Sequence, residues 1–359
     1  MTDAMTLSPK DLSEPALRAR GVDQVHALPH CTDRELRTFT KPVIRPDVQA
    51  FLDLREANPG PVLTAANIAE MRALASRGMA MLDLRLGELD VNRDVVMPGP
   101  GGDIALRLFD TRASREPGPA VVFFHGGGFV MGNIETHASI CAEIARRLDL
   151  PVISVDYRLA PEHPWPAAPD DAEAAARWIA MNGPAFDRDI TGLVLSGDSA
   201  GGNLAIVTGL ALRDRPAACP VILQMMLYPM TDPLGHYPSN DAFGEGYMLD
   251  ASQTHWFVEQ YKPDPSHWRA APVHADLHGS PPTVVVTAEL DPLRDQGHAY
   301  AAKLIAAGVR TTIREVAGTI HGFAGFRRLI PSAQEDLVDA LASAQAMIQD
   351  PKFRRVTEQ

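Results

Sequence analysis

The chain has 359 residues, 45% hydrophobic and 22% charged, which supplies a large core and excludes a disordered or low-complexity protein. Its 33 basic and 45 acidic side chains leave a formal charge of -12; such a surface repels phosphate backbones and anionic lipid, so no nucleic-acid or membrane-surface partner is expected.

Residues 1 to about 90 start irregular and turn helical. Val43–Leu54 reads as a short helix and Asn67–Leu86 as a longer one, with Ile68, Met71 and Leu74 at near-helical spacing. From about Asp103 short apolar runs alternate with helix-length segments. Ile104–Phe109 alternates like an edge strand, and Ala120–Phe124 is a continuous apolar run, as expected of a strand covered on both faces. There follow a helix (Thr136–Leu148), a strand (Pro151–Val155), a helix (Asp170–Met181), a strand (Gly192–Leu195), a helix (Ala200–Arg213) and a strand (Val221–Leu227). After an interval rich in Pro, aromatic residues and His, the rhythm resumes. A strand (Thr283–Thr287), a helix (Ala299–Ala307), a strand (Thr311–Val316) and a helix (Ala333–Ile348) end it. Such alternation predicts an α/β fold, a mostly parallel central sheet covered by helices on both faces. Its reactive groups should gather beyond the carboxyl ends of the strands. The interval of about 232–278 reads as an excursion that joins the N-terminal helices above the site. The expected division is a helical N-terminal part, 1–90 with a contribution from 232–278, and an α/β domain, 91–359.

Cys31, Cys141 and Cys219 are too widely spaced for a disulfide framework or a CxxC site. No apolar run approaches about 18 residues, so no membrane span is expected. The N-terminus lacks a basic segment followed by an apolar one, so a cytoplasmic location is the expectation.

The strongest chemical signal is Gly197-Asp198-Ser199-Ala200-Gly201, between a strand and a helix. A Gly-x-Ser-x-Gly turn in that setting is tight enough to push the serine hydroxyl clear of the backbone. Side chains two residues before and after would collide, which calls for Gly at both places. The second signal is His125-Gly126-Gly127-Gly128, just past the strand that ends in Val121-Val122-Phe123-Phe124. N–H groups of Gly126 and Gly127, with that of Ala200, are the candidate donors for an oxyanion. His125 reads as holding this loop. Gly128 and Asp198 are the candidate substrate-side residues, Asp198 by positioning neighbouring loops.

A serine needs a base. Among twelve His, His321 lies in a short loop at a strand's carboxyl end. His298 falls in a helix, and His236, His255, His267, His274 and His278 in the excursion. His274 and His278 are four apart but lack the H-E-x-x-H pattern, so no metal site is expected. Asp291 follows the strand Thr283–Thr287, where the acid that orients the base belongs; Glu289 and Asp295 compete with it. The order Ser199, Asp291, His321 is that of α/β-hydrolases.

These residues resemble the hormone-sensitive-lipase family of α/β-hydrolases, in its GDSAG subgroup. Tyr157-Arg158-Leu159-Ala160-Pro161-Glu162-His163-Pro164-Trp165-Pro166-Ala167, Asp291-Pro292-Leu293-Arg294-Asp295 and His321-Gly322-Phe323 extend the likeness over about Val121–Phe323. The resemblance implies an α/β-hydrolase fold with a helical cap and a cofactor-independent carboxylesterase. Its substrate would be a small-molecule ester with a short to medium acyl chain, and the enzyme a homodimer joined through an edge strand. An amidase or lactonase would use the same triad. Plant gibberellin receptors resemble this family but lack the catalytic His, which His321 supplies here.

Overall fold

The computed structural model of the chain describes residues 42–350; the irregular start of the expected N-terminal part, Cys31 included, lies outside the described residues. From Val43 on these belong to one compact unit. It opens with two helices, α1 (Pro46–Ala57) and α2 (Ile68–Leu82). Then come strands β1 (Val91–Gly99), β2 (Gly102–Asp110) and β3 (Gly118–Phe124), helix α3 (Ile134–Leu148) and strand β4 (Val152–Val155). Helix α4 (Ala167–Met181), strand β5 (Ile190–Asp198), helix α5 (Ala200–Asp214) and strand β6 (Val221–Leu227) follow. The interval after β6 carries helices α6 (Pro238–Phe243) and α7 (Ala251–Tyr261) and a short 3-10 turn at Pro272–His274. Strand β7 (Thr283–Leu290), helix α8 (Arg294–Ala306), strand β8 (Thr311–Ile320) and helix α9 (Ser332–Gln349) complete the unit.

One sheet runs in the order β1-β2-β4-β3-β5-β6-β7-β8. The β1–β2 and β2–β4 pairs are antiparallel, and every later pair is parallel. Alternation along β3 and β5 splits the core between the two faces of the sheet. Val122, Phe124, Leu193 and Leu195 pack with Ala172 and Ala176 of α4 and Leu204 of α5. Val121, Phe123 and Val194 pack with Ile140 and Ile144 of α3 and Leu337 and Leu341 of α9. All five residues from Ala120 to Phe124 are fully buried. Each large side chain so buried contributes about 1.5–3 kcal/mol, and the ladder beneath the site is correspondingly rigid.

Two strand expectations change. Ile104–Phe109 lies within β2, but the edge strand is β1, which the sequence did not announce. Most of β1 faces solvent and it contains Pro98, so the apolar alternation that marks a half-buried strand is missing. The strand begun at Thr311 runs on to Ile320 through Gly318 at φ +69°, so His321 follows the strand directly.

The first two helices are tied to the strand-end side by charge. Arg45 pairs with Asp336 at 2.6 Å. Arg72 donates to the carbonyls of Val130 and Ala160, both at 2.7 Å, and pairs with Glu162 at 2.8 Å.

Candidate active site

β5 delivers Ser199 at φ 52°, ψ −117°, a region that disfavours any side chain and stores about 1–3 kcal/mol. Its amide donates to the Leu227 carbonyl at 2.9 Å, and its carbonyl accepts from Asn203 and Met230 at 3.2 and 3.1 Å. The turn is compressed on both sides. A Cβ on Gly197 would overlap the Gly201 carbonyl, and one on Gly201 would overlap the Phe124 carbonyl.

Three strand ends meet here. His321, after β8, places Nε2 at 2.9 Å from Ser199 Oγ and Nδ1 at 2.7 Å from Asp291 Oδ2. Asp291, after β7, is fully buried, and its Oδ1 accepts the Leu293 amide at 2.8 Å. Because Nδ1 faces a carboxylate it carries the imidazole proton, which leaves Nε2 to accept from the serine hydroxyl. The Tyr228 ring lies 4.8 Å from the imidazole. The competing acids are engaged elsewhere: Glu289 accepts the Gly318 amide at 2.7 Å, and Asp295 accepts the Ser239 amide at 2.9 Å.

The glycine loop departs from expectation at its first residue. The Gly126 amide donates to Asp198 Oδ1 at 2.7 Å, so it is not free to hold an oxyanion. β3 and β5 are neighbours in the sheet, which brings Gly126, two residues past the end of β3, beside Asp198, the last residue of β5. Gly127 (φ +116°) and Gly128 (φ +61°) then turn the chain. The Gly127 carbonyl accepts from Val130 and Met131 at 3.1 and 2.7 Å, while the Gly127 and Gly128 amides donate to no group among the described residues. Ala200 opens α5, where the first amides lack an intrahelical partner.

His125 Nδ1 donates to the Gly126 carbonyl at 2.9 Å, and its own carbonyl accepts the Tyr157 hydroxyl at 2.7 Å. Burial, with His137 beside it, pushes its imidazole down to about 3, so it is neutral. Asp198 is buried too; burial pushes its carboxyl up, but His137 and the Gly126 amide outweigh that and hold it below its usual range. His137 Nε2 stands 3.3 Å from Asp198 Oδ1. No sequence motif singled out His137; it reaches the site through the packing of α3.

Ser199 and His321 open into a cavity of about 280 Å³ with Leu63, Met79, Met131, Ile140 and Phe326 on its walls, and Gly128 and Asp198 as well. The Phe257 ring of α7 packs directly on Gly128, where a Cβ would meet it at 2.5 Å. Periodicity could not separate these wall residues from the undersides of helices. A polar recess of about 490 Å³ lies at the far ends of β3 and β5, but its Arg115 and Arg188 are already paired with Asp110. His274 faces Asp232 and His278 faces Asp276, and no metal-binding cluster occurs among the described residues.

Comparison with known proteins agrees with this geometry. Residues 121–325 match the family described as alpha/beta hydrolase fold. An ethyl acetate hydrolase of Pseudomonas putida is 34% identical over 314 residues, 84% of this chain and 98% of that protein. Carboxylesterase NlhH of Mycobacterium tuberculosis is 34% identical over 318 residues, 85% of this chain and 98% of that protein. An ester hydrolase from the metagenome of Lake Arreo, solved with a bipyridine phosphonate derivative, superposes with a TM-score of 0.80. It is 38% identical, covering 86% of this chain and all of that one. The chain therefore belongs to the α/β-hydrolase superfamily, in its hormone-sensitive-lipase-like family of carboxylesterases.

Proposed function

We propose that this protein is a carboxylesterase that hydrolyses small-molecule esters through an acyl-enzyme. The observation that carries the reading is the His321 imidazole, bonded on one side to the Ser199 hydroxyl and on the other to a buried carboxylate. Ser199 Oγ attacks the ester carbonyl as His321 Nε2 takes its proton, and His321 returns that proton to the leaving alcohol. Water, deprotonated by the same nitrogen, then releases the acid. Asp291 holds the imidazole tautomer and stabilises the imidazolium.

The negative charge that develops on the carbonyl oxygen is received by the amides of Gly127, Gly128 and Ala200. What supports this choice is their lack of other acceptors, against the Gly126 amide, which Asp198 occupies. Each such donor is worth about 10²–10³ in rate. Asp198 acts as a loop-positioning group.

The helices before β1, with those of the 232–278 excursion, form a cap over the acyl site. Leu63, Met79, Met248 and Phe257 on the cavity wall support that role and a preference for short- to medium-chain acyl groups. We further read the protein as a cytoplasmic homodimer paired through an edge strand. No helix among the described residues is long and apolar enough to cross a membrane.

The test is turnover of p-nitrophenyl acetate and butyrate by the wild type and by Ser199→Ala. Loss of essentially all turnover in the variant is expected; undiminished activity would falsify the assignment. Matched ester and amide substrates measure the ester preference, and native mass spectrometry measures the oligomer.

A further inference from the structure

Thr136 and His137 of α3 line the cavity that holds Ser199, yet the hydrolytic steps use neither. They begin a chain of polar contacts that ends on the glycine loop. Thr136 Oγ1 is 2.8 Å from His137 Nδ1, and His137 Nε2 is 3.3 Å from Asp198 Oδ1. That same Oδ1 accepts the Gly126 amide at 2.7 Å. Nε2 faces a carboxylate oxygen and so carries a proton. The Thr136 hydroxyl is held in turn by the cap of α3, at 2.9 Å from the Asn133 amide and 2.8 Å from its carbonyl.

The ring of His137 also bears on the loop. It lies 5.5 Å from the His125 ring, which stacks on Tyr157 at 4.3 Å. His137 therefore touches both groups that precede the free amides, packing against His125 and bonding to the carboxylate that holds Gly126. The side chains of His137 and Asp198 are only 13% and 8% exposed, so water competes little for the contact between them.

We propose that His137 is a positioning residue for ester hydrolysis: by holding Asp198 it fixes the Gly126 amide, and so sets the Gly127 and Gly128 donors one and two residues further on. The inference rests on the esterase reading of Ser199. The physical ground is that oxyanion donors act only when they are aimed beforehand at about 2.7–3.1 Å from the developing charge. A loop free to shift must be reorganised during each turnover.

The experiment uses the full chain with three substitutions. His137→Phe keeps a ring against His125 but has no donor; His137→Asn keeps the site polar but is too short to reach Asp198; His137→Gln restores a donor at reach. The readouts are kcat and KM for p-nitrophenyl acetate, inhibition by a trifluoromethyl ketone that forms a tetrahedral adduct on serine, and deuterium uptake over residues 125–131.

H137F and H137N should lower kcat by about 10- to 100-fold, with KM within twofold. The inhibition constant should rise by the same factor and uptake over 125–131 should quicken, while H137Q recovers most of each loss. Unchanged kcat in H137F and H137N overturns the proposal. So does a loss carried by KM, or a Gln variant as poor as the Phe variant. Absence of ester turnover in the wild type would count against the esterase reading instead. Uptake would then still decide whether His137 holds the loop, and wild-type uptake in H137F and H137N overturns it.

Discussion

Gly201, in the first turn of α5, sits so close to the end of β3 that an added Cβ would overlap the Phe124 carbonyl. Backbone meets backbone there, and no rotamer relieves the overlap. Gly201→Ala must therefore part the helix from the strand or reopen the turn, and either shift moves Ser199 relative to His321. A displacement of about 1 Å in such a pair is enough for a 100-fold loss. Gly201→Ala is expected to lose at least that much kcat/KM and to melt at a lower temperature. Wild-type turnover would show that the turn tolerates a side chain.

The two oxygens of Asp291 have different partners, and this gives Asp291→Asn a definite sign. Oδ1 accepts the Leu293 amide and Oδ2 faces His321 Nδ1. In the Asn variant the amide oxygen stays on the Leu293 N–H, which turns the NH₂ toward the imidazole. A donor then faces Nδ1, the proton moves to Nε2, and the ring can no longer accept from Ser199. By analogy with other serine triads kcat should fall by about 10⁴-fold, while thermal unfolding shifts little. A fall of less than tenfold would mean that the tautomer is set by something else.

Arg327 lies six residues beyond the base and reaches back to Asp83, which ends α2, at 2.7 Å; it also donates to Ser139 at 2.6 Å. Both members of the ion pair are buried. Asp83→Ala strands a guanidinium out of water, at about 3–5 kcal/mol, whereas replacing both by apolar residues of similar volume removes the charge as well. Urea unfolding should therefore rank Asp83→Ala well below the double variant Asp83→Leu/Arg327→Met. The reverse order would mean that the guanidinium finds solvent or a new partner.

His125 makes acid stability a test of burial. Its imidazole is pushed from 6.5 to about 3, and its Nε2 is buried without a hydrogen-bond partner. The unfolded chain takes up this proton near pH 6.5 and the folded chain only near 3. Between those values the unfolded state binds more protons, so stability falls as pH falls, by up to about 1.4 kcal/mol per pH unit from this one group. His125→Phe keeps an aromatic ring against Tyr157 and should flatten the dependence of unfolding free energy between pH 6 and 4 by up to that slope. An unaltered slope would show that the ring is protonated in the fold.

What could be read in advance follows from how local each signal is. The Ser199 turn is written in five consecutive residues, and a strand leading into a helix leaves it little choice of geometry. The choice among Glu289, Asp291 and Asp295 needed only their offset from the end of a strand. The role of Gly126 was not legible, because it depends on where Asp198 lands across from it in the neighbouring strand. His137 was hidden for the same reason: its partner lies 61 positions away (137 to 198) and meets it only through the packing of α3. β1 carried too few apolar residues to announce itself. The cavity wall joins α2, α7 and the segment after β8, elements whose apolar faces look alike in sequence whether they cover a core or a substrate.

Ala75 is the small residue that α2 presents to that wall, one turn before Met79. If acyl chains run beneath α2, a larger side chain at this place should shorten the longest chain accepted without touching the triad. Removing room for one methylene in an apolar pocket changes kcat/KM by about 10- to 200-fold. Ala75→Phe is therefore expected to reduce turnover of p-nitrophenyl octanoate at least tenfold relative to acetate, with acetate turnover within threefold of wild type. A series from acetate to octanoate measures both. An equal loss on every ester would place Ala75 outside the path of the acyl chain, and a gain on octanoate would mean that the chain leaves the cavity on another side.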